Sequence, residues 1–313
     1  MNAILLGPQR RPTVSAVVRS LSGDRPFATI TAGWQEREAD DGELTALLSG
    51  RAVNLSLHRR WLDVQDADPG YAADERRMQR TLAELQEIYL LRLDYALQAV
   101  YALQSRSGQD WLLAGGVAEA IAAVRDLDTA HLHRVNEARG EFLQRWQPHD
   151  RPAIAGHRAA VAATLADSAG VILAGGHVGV LADVLHLFNV AAALRLQAPG
   201  WPVIAWSAGA MALAERIVLF GDRSPEGPGH PEIYGSGLSV LRDVILLPHA
   251  RTRLLLQDAS RMAVFARRFA PVRCILLDNG TRLDQGSDGT WPPGTRFLAE
   301  DGHVTALEAA RPP

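Results

Sequence analysis

The sequence contains one cysteine, Cys274, and no uncharged apolar run of the roughly 18 residues that a membrane-spanning helix needs. A single cysteine excludes an internal disulfide, and its apolar neighbours predict a buried strand in which it has a structural role. The first residues also lack the basic segment and long apolar segment of a secretion signal. These absences predict a cytoplasmic protein that does not contact a membrane.

The sequence also has no large excess of charge of either sign. It contains 32 Lys and Arg residues and 35 Asp and Glu residues, which give a formal net charge of -3. This balance provides no long-range attraction to nucleic acid. Residues 175–179 lack the glycine spacing of a nucleotide-binding loop. His131 and His133 point to different helix faces, and His133 with Glu137 is better explained as a solvated pair. We therefore expect no cofactor, no metal and no nucleic-acid partner.

Short apolar runs of strand character alternate with helical patterns along most of the chain. The runs occupy residues 3–6, 27–31, 53–57, 170–174, 202–206, 244–247 and 273–277. This alternation predicts an α/β fold with a mostly parallel sheet and flanking helices, in one domain over residues 1–313.

Residues 73–147 differ from the rest, because they are rich in Leu, Ala, Gln, Glu and Arg and carry no strand signal. Apolar residues recur every three or four positions from Met78 to Leu103, which predicts one long helix with an apolar stripe. Gly115 and Gly116 predict a break, followed by helices over 117–127 and 129–146. We expect an all-helical insertion that acts as a subdomain, a lid or the surface of a homodimer.

Ser207 follows the predicted strand 202–206 directly and precedes a helical segment. A serine at such a sharp strand-to-helix turn, flanked by the small Ala205 and Gly209, is typical of a nucleophile elbow. The turn would expose the hydroxyl and aim the Ala208 N–H at an oxyanion. The alternative is that Ser207 only caps the following helix.

A serine nucleophile needs a base, and His249 ends the apolar strand 244–248. Side chains at the carboxyl ends of parallel strands gather in one crevice, so His249 is expected to meet Ser207 there. Gly176, in the turn after strand 170–174, is the candidate second oxyanion donor. Asp222 is the candidate acid that orients the imidazole, with Glu226 and Asp243 as competitors.

These segments, taken in order, resemble the peptidase E and cyanophycinase family of serine peptidases. The resemblance covers residues 171–283 well and the first sixty only loosely. It is carried by Ala174-Gly175-Gly176-His177 (where asparagine is usual at 177), Trp206-Ser207-Ala208-Gly209-Ala210, the Ser207-to-Asp222 spacing, Leu247-Pro248-His249, Arg253 and the segment 276–281. It implies a three-layer fold like that of the class I glutamine amidotransferases.

The resemblance implies a serine hydrolase that cleaves small or acidic, aspartyl-type peptides through an acyl-enzyme and a Ser-His-Asp triad. Arg251, Arg253 and His177 are the candidate substrate-binding residues. One alternative is an amidase or glutaminase-like enzyme, although those of this fold use cysteine at the elbow. The other is an inactive family member that serves as a scaffold through its helical insertion.

Overall fold

The protein is represented by a computed structural model that describes residues 2–9, 13–21, 23–223, 229–286 and 288–308. The strands are β1 (Asn2–Leu6), β2 (Phe27–Ile30), β3 (Ala52–Asn54), β4 (Val171–Leu173), β5 (Pro202–Trp206), β6 (Arg216–Leu219), β7 (Glu232–Ser236), β8 (Val244–Pro248), β9 (Arg273–Leu277), β10 (Arg282–Asp284), β11 (Arg296–Leu298) and β12 (Val304–Ala306). The helices are α1 (Val14–Ser20), α2 (Gly42–Leu47), α3 (Leu57–Ala67), α4 (Pro69–Gln104), α5 (Asp110–Trp146), α6 (Pro152–Ala166), α7 (Val178–Leu187), α8 (Val190–Arg195), α9 (Ala208–Leu213), α10 (Ala250–Arg253) and α11 (Ala259–Phe269). A 3₁₀ helix spans Ala32–Arg37.

The central sheet has six strands in the order β10-β1-β5-β4-β2-β3. All neighbours in it are parallel except β10, which pairs antiparallel with β1. A second sheet, in the order β12-β11-β9-β8, contains the parallel pair β8 and β9. The prediction of an α/β fold with a mostly parallel sheet is confirmed.

The four inner strands of the central sheet, β1, β5, β4 and β2, are apolar at almost every position because helices cover both faces. Alternate residues point to opposite faces, as Val203 and Ile204 of β5 do. Val203 belongs to the core formed with α6 and α7, whereas Ile204 belongs to the core formed with α1 and α2. The sheet is therefore the middle of three layers.

The segment predicted as a helical insertion consists mainly of α4 and α5, which have 36 and 37 residues. The predicted break at Gly115 and Gly116 is wrong, because both glycines lie inside the continuous helix α5. Gly116 packs against Leu103 of α4, so contact between the two helices outweighs the low helix propensity of glycine. Within the described residues, no helix is both long enough and apolar enough to cross a membrane.

The helices α4 and α5, called the helical pair below, are fixed to the rest of the chain by a buried polar cluster. Arg268 of α11 donates to Asp128 of α5, with its Nε 2.6 Å from Oδ2 and its Nη2 2.6 Å from Oδ1. The same guanidinium donates to the Tyr89 hydroxyl of α4 at 2.8 Å and to the Pro231 carbonyl at 2.5 Å. The apolar stripe of α4 also joins the core that contains α11. These contacts hold the pair firmly on one side of the fold.

Candidate active site

Ser207 lies between β5 and α9 with φ 52° and ψ -126°. This region is unfavourable for any residue with a side chain, and such strain costs on the order of 1–3 kcal/mol. Strained residues of this kind concentrate at active sites. The Ser207 side chain makes no capping hydrogen bond to α9. The structure therefore argues against helix capping as the reason for a serine here.

Small residues around Ser207 are required by contacts with β4. A Cβ added to Gly209 would lie 2.7 Å from the Ala174 carbonyl oxygen and would overlap that of Leu173. Ala205 is fully buried in β5. The sequence predicted a small residue at 209, and the structure leaves no room there even for a methyl group. The strand-to-helix turn can therefore pack directly on the end of β4.

The glycine turn after β4 is held by a neighbouring loop. Gly176 has φ +125°, and a Cβ there would overlap the Gly33 carbonyl oxygen. The His177 N–H donates to that same oxygen at 2.7 Å. Among the described residues, neither the Gly176 N–H nor the Ala208 N–H has a hydrogen-bond acceptor. The two predicted oxyanion donors thus lie in fixed turns with their N–H groups uncommitted within the described chain.

His249 follows β8 with φ 58°, and its backbone N–H donates to the Leu277 carbonyl of β9 at 3.1 Å. The end of β9 is joined to β1, because Gly7 donates to the Thr281 carbonyl at 2.8 Å. The parallel register then pairs Leu6 of β1 with Trp206 of β5. The strands that carry Ser207 and His249 therefore end at the same edge of the fold, where both side chains are half-buried.

Asp222 is buried and bound to other groups of this region. Its carboxylate accepts from Arg261 at 2.7 and 3.0 Å and from the Leu255 N–H at 2.9 Å. Its own N–H donates to the Arg253 carbonyl at 2.7 Å. Within the described residues, Asp222 therefore fixes the short helix α10 that follows His249, and its hydrogen bonds do not reach the imidazole.

The competing acids differ in their positions. Asp243 precedes β8, so it lies at the opposite end of that strand from His249, roughly 20 Å away at the usual rise per residue. This distance excludes Asp243 as the acid that orients His249. Glu226 lies outside the described residues.

Asp278, directly after β9, was not among the predicted site residues. Its Oδ1 accepts from the Arg251 N–H at 2.9 Å, and its buried Oδ2 has no hydrogen-bond partner within the described chain. The Arg251 Nε lies 3.5 Å from that Oδ2. Since Leu277 bonds to His249, Asp278 is an acid beside the histidine turn. An acidic residue at the end of a buried strand was the sequence signal that could have found it.

The three predicted substrate-binding residues have exposed side chains near this edge. Arg251 pairs with Asp278, whereas the Arg253 guanidinium lies 6.0 Å from the centre of the Phe220 ring. His177 caps α7, because its Nδ1 accepts from the Val180 N–H at 3.2 Å. His177 therefore has a structural contact that the sequence did not predict.

Tyr234 of β7 is a further residue that sequence reasoning missed. A Cβ on Gly179 would overlap the Tyr234 hydroxyl and lie 3.1 Å from the His177 ring, so the tyrosine packs on the first turn of α7. Burial raises the pKa of the Tyr234 hydroxyl, and the nearby Asp183 adds to the effect. Tyr234 stays protonated at neutral pH and closes one side of the His177 turn. Tyr234 is distant in sequence from His177 and Gly179, so no local sequence pattern indicated this contact.

Possible metal ligands are not clustered in the described part of the chain. No group of three or more His, Cys, Asp or Glu residues is arranged there to hold an ion. His133 and Glu137 form an exposed pair at 3.1 Å on α5. This geometry is that of a solvated pair one helical turn apart.

No protein-family model matches the chain, and no curated protein sequence matches it. Among solved structures, it is similar to the crystal structure of a peptidase from an acI-B1 Actinobacterium. The two chains are 14% identical, with a TM-score of 0.47, and the alignment covers 99% of this chain and 95% of the other.

Proposed function

We propose that this protein is a serine hydrolase that cleaves peptide bonds, with Ser207 as nucleophile and His249 as general base. The observation that carries the proposal is the backbone of Ser207, which is strained at φ 52° without a capping bond to offset the strain. Strain of this kind persists only where the surrounding structure imposes it, and a nucleophile elbow is a fold feature that needs it.

In the proposed reaction, the imidazole of His249 takes the hydroxyl proton as the Ser207 oxygen attacks the carbonyl carbon of the peptide bond. The Gly176 and Ala208 N–H groups stabilise the resulting oxyanion. His249 then returns the proton to the leaving amine as the carbon–nitrogen bond breaks. Water, activated by the same imidazole, hydrolyses the acyl-enzyme and restores the serine.

Asp222 is proposed as the acid that positions His249, through the backbone of α10 that it holds and not through a hydrogen bond to the imidazole. Glu226 and Asp278 are the other candidates for the acid that bonds to the imidazole. Asp222 is held by Arg261 and by the backbone that follows α10. Asp278 has one buried oxygen without a hydrogen-bond partner among the described residues, beside the backbone that supports His249. An acidic partner stabilises the imidazolium that forms during attack.

The proposed substrate is a small or acidic, aspartyl-type peptide. The support is the exposed guanidinium of Arg253, which follows His249 by one helical turn and has an aromatic ring as its neighbour. Arginine binds carboxylates with two parallel hydrogen bonds, which favours acidic side chains over neutral ones. Arg251 contributes to the same positive patch, but it is shared with Asp278.

An amidase of the cysteine type is disfavoured by the position of the chain's only cysteine. Cys274 is buried in β9, and burial raises its thiol pKa to about 12. A thiol of this kind supplies no thiolate at neutral pH. The remaining alternative is an inactive scaffold protein, which would have the same turn but no reactive hydroxyl.

A fluorophosphonate probe followed by peptide mass spectrometry tests the proposal. We expect labelling at Ser207, its loss in Ser207→Ala, and a fall of at least about a thousandfold in kcat for dipeptide hydrolysis. Ser239→Ala is the matched control, because Ser239 is exposed and also has a positive φ of 52°. A wild-type chain that is neither labelled nor active would sink the proposal and favour the scaffold, whereas turnover that survives Ser207→Ala would assign the reaction to another residue.

A further inference from the structure

A cavity of about 870 Å³ lies between the helical pair and the body of the fold. Its walls come from α4, α5, α6 and α7, and neither Ser207 nor His249 lines it. Cavities of this size hold small organic ligands in other proteins. The predicted catalytic residues do not account for it.

One side of the cavity is apolar. It is formed by Tyr71 and Met78 of α4, Phe142 and Leu143 of α5, and Leu187 of α7. The rings of Tyr71 and Phe142 pack with their centres 5.3 Å apart, so this wall is rigid. A hydrocarbon chain or an aromatic ring would be covered on this side.

Arg158 of α6, a half-buried residue that also lines the cavity, adds a positive charge to it. Its Nε donates to the Leu187 carbonyl at 2.8 Å, and no carboxylate of the described residues forms an ion pair with it. Burial accordingly lowers the pKa of Arg158, with the Tyr71 hydroxyl opposing the effect. A half-buried guanidinium without an anion is costly and has free N–H groups for one.

The other charged groups of the cavity are already satisfied. Arg139 lies 2.8 Å from Asp183, whose second oxygen accepts from Gln79 at 3.0 Å. Glu75 accepts from the Trp61 indole at 2.9 Å and from the Gln65 amide at 2.6 Å. Arg158 is therefore the one positive charge of this wall without a described counter-charge.

We propose that the cavity binds a small amphipathic carboxylate, whose carboxylate pairs with Arg158 and whose apolar part contacts the wall of Tyr71 and Phe142. Arginine and a carboxylate match in geometry and charge, and the pair is stronger when partly desolvated. Two sources have this chemistry: a free organic acid, and the carboxyl terminus of a peptide with an apolar last residue.

The cavity also extends toward the predicted oxyanion turn. A second cavity of about 320 Å³ shares Glu75, Gln79 and Asp183 with it and reaches Gln35 and Val180. Val180 is four residues after Gly176, and α7 rises about 1.5 Å per residue. The two cavities together follow α7 from the helical pair to its first turn, which comes directly after the Gly176 turn in the chain.

Binding is tested by calorimetry with 4-phenylbutyrate and the uncharged 4-phenylbutyramide on the full chain. We expect the acid to bind, and the amide to bind at least about tenfold more weakly, because a charge-assisted hydrogen bond contributes roughly 1.5–3 kcal/mol. Arg158→Met should weaken binding of the acid by a similar factor. Arg195→Met, on the exposed end of α8, is the control and should leave binding unchanged.

A second variant tests the location without touching a charge. Gly140 of α5 lines the cavity, and a Cβ there meets nothing within 4 Å, so we expect the indole of Gly140→Trp to occupy the cavity. Gly115→Trp, in the same helix and also with open space, is the matched control. We expect Gly140→Trp to abolish binding of 4-phenylbutyrate and Gly115→Trp to preserve it, with both variants melting like the wild type.

The two sources are separated by comparing 4-phenylbutyrate with the peptide Gly-Gly-Phe and its C-terminal amide. Tighter binding of the peptide acid than of phenylbutyrate assigns the cavity to peptide ends, and the reverse assigns it to a free acid. Binding by the Ser207→Ala variant should equal the wild type, so the result does not depend on the proposed hydrolysis. The proposal is overturned if neither acid binds, if the amides bind as well as the acids, or if Gly140→Trp binds like Gly115→Trp.

Discussion

Gly175 lies directly against Ser207, so that a Cβ on the glycine would stand 2.8 Å from the serine Cβ and 3.2 Å from its hydroxyl oxygen. The two residues lie in the turns that follow different strands, β4 and β5, whose parallel register brings their ends together. Any side chain at position 175 would overlap the Ser207 side chain, so only glycine fits there. The turn after one strand therefore determines the geometry of the turn after the other.

Gly175→Ala is expected to displace Ser207 and to lower both stability and turnover. Overpacking by one methyl group costs about 1–3 kcal/mol. A shift of about 1 Å at a reacting atom costs roughly a hundredfold in rate. The measurements are urea unfolding and the rate of fluorophosphonate labelling.

Gly156→Ala is the control for that change, because Gly156 lies within α6 and a Cβ there meets nothing within 4 Å. It should leave labelling unchanged and stabilise the protein by about 0.5–1 kcal/mol, since alanine favours a helix. Wild-type labelling by Gly175→Ala would contradict the tight packing at Ser207.

The sequence predicted the sheet because parallel strands buried on both faces appear as uninterrupted apolar runs, as in β5 and β9. It failed at Gly115, where local propensity indicated a break but packing between α4 and α5 keeps the helix continuous. The partners of Asp222 were also beyond prediction, because Arg261 lies 39 residues away and no periodicity links the two. The burial of Arg158 could not be predicted either, because the sequence of a helix does not distinguish a half-buried arginine from a solvent-exposed arginine.

Asp222→Asn is expected to lower the free energy of unfolding by about 3 kcal/mol, because it removes one partner of a buried ion pair with Arg261. Arg261→Met should cost a similar amount, since it leaves the carboxylate uncompensated. The double variant should lose less than the sum of the two. Urea unfolding of the four proteins measures this coupling.

The same variants separate a structural role of Asp222 from a catalytic one. If Asp222 orients His249 in the folded protein, Asp222→Asn lowers kcat far more than Arg261→Met, because only the former removes the carboxylate. Equal kcat values for the two variants would assign Asp222 to the fold alone. In that case the large loss of kcat is expected for Asp278→Asn or for Glu226→Gln.

Stability is expected to fall with acidification partly through His131. Its ring stacks on Tyr89 at 4.0 Å, and burial lowers its pKa below the ordinary value. The imidazole of the unfolded chain then binds a proton that the imidazole of the folded chain does not bind. The free energy of unfolding therefore decreases as the pH falls through the histidine pKa of the unfolded chain, which is about 6.5.

His131→Phe keeps a stacked ring but removes the titration. Urea unfolding above and below about pH 6.5 should show a smaller loss of stability for the variant than for the wild type. Other groups with shifted pKa values, such as His186 and Glu232, are present in both proteins and cancel in the comparison. Equal losses in the two proteins would show that His131 does not contribute.

The helical pair has an exposed apolar face that the body of the fold does not cover. Ile88, Leu91 and Tyr95 of α4 succeed one another at helical spacing and are 54%, 62% and 66% exposed. An apolar stripe of this kind is typical of a protein–protein contact, and a copy of α4 running antiparallel would present the same residues to it. We therefore predict a homodimer through this face.

Leu91→Glu should dissociate that dimer, because it puts two like charges near the two-fold axis, where Leu91 of one copy approaches Leu91 of the other. Sedimentation equilibrium is expected to give twice the chain mass for the wild type and a single chain mass for the variant. Leu196→Glu is the matched control, since Leu196 is 83% exposed on the body of the fold, outside the helical pair. A wild-type monomer at micromolar concentration would contradict the homodimer, whereas a dimer that tolerates Leu91→Glu but not Leu196→Glu would place the contact outside α4.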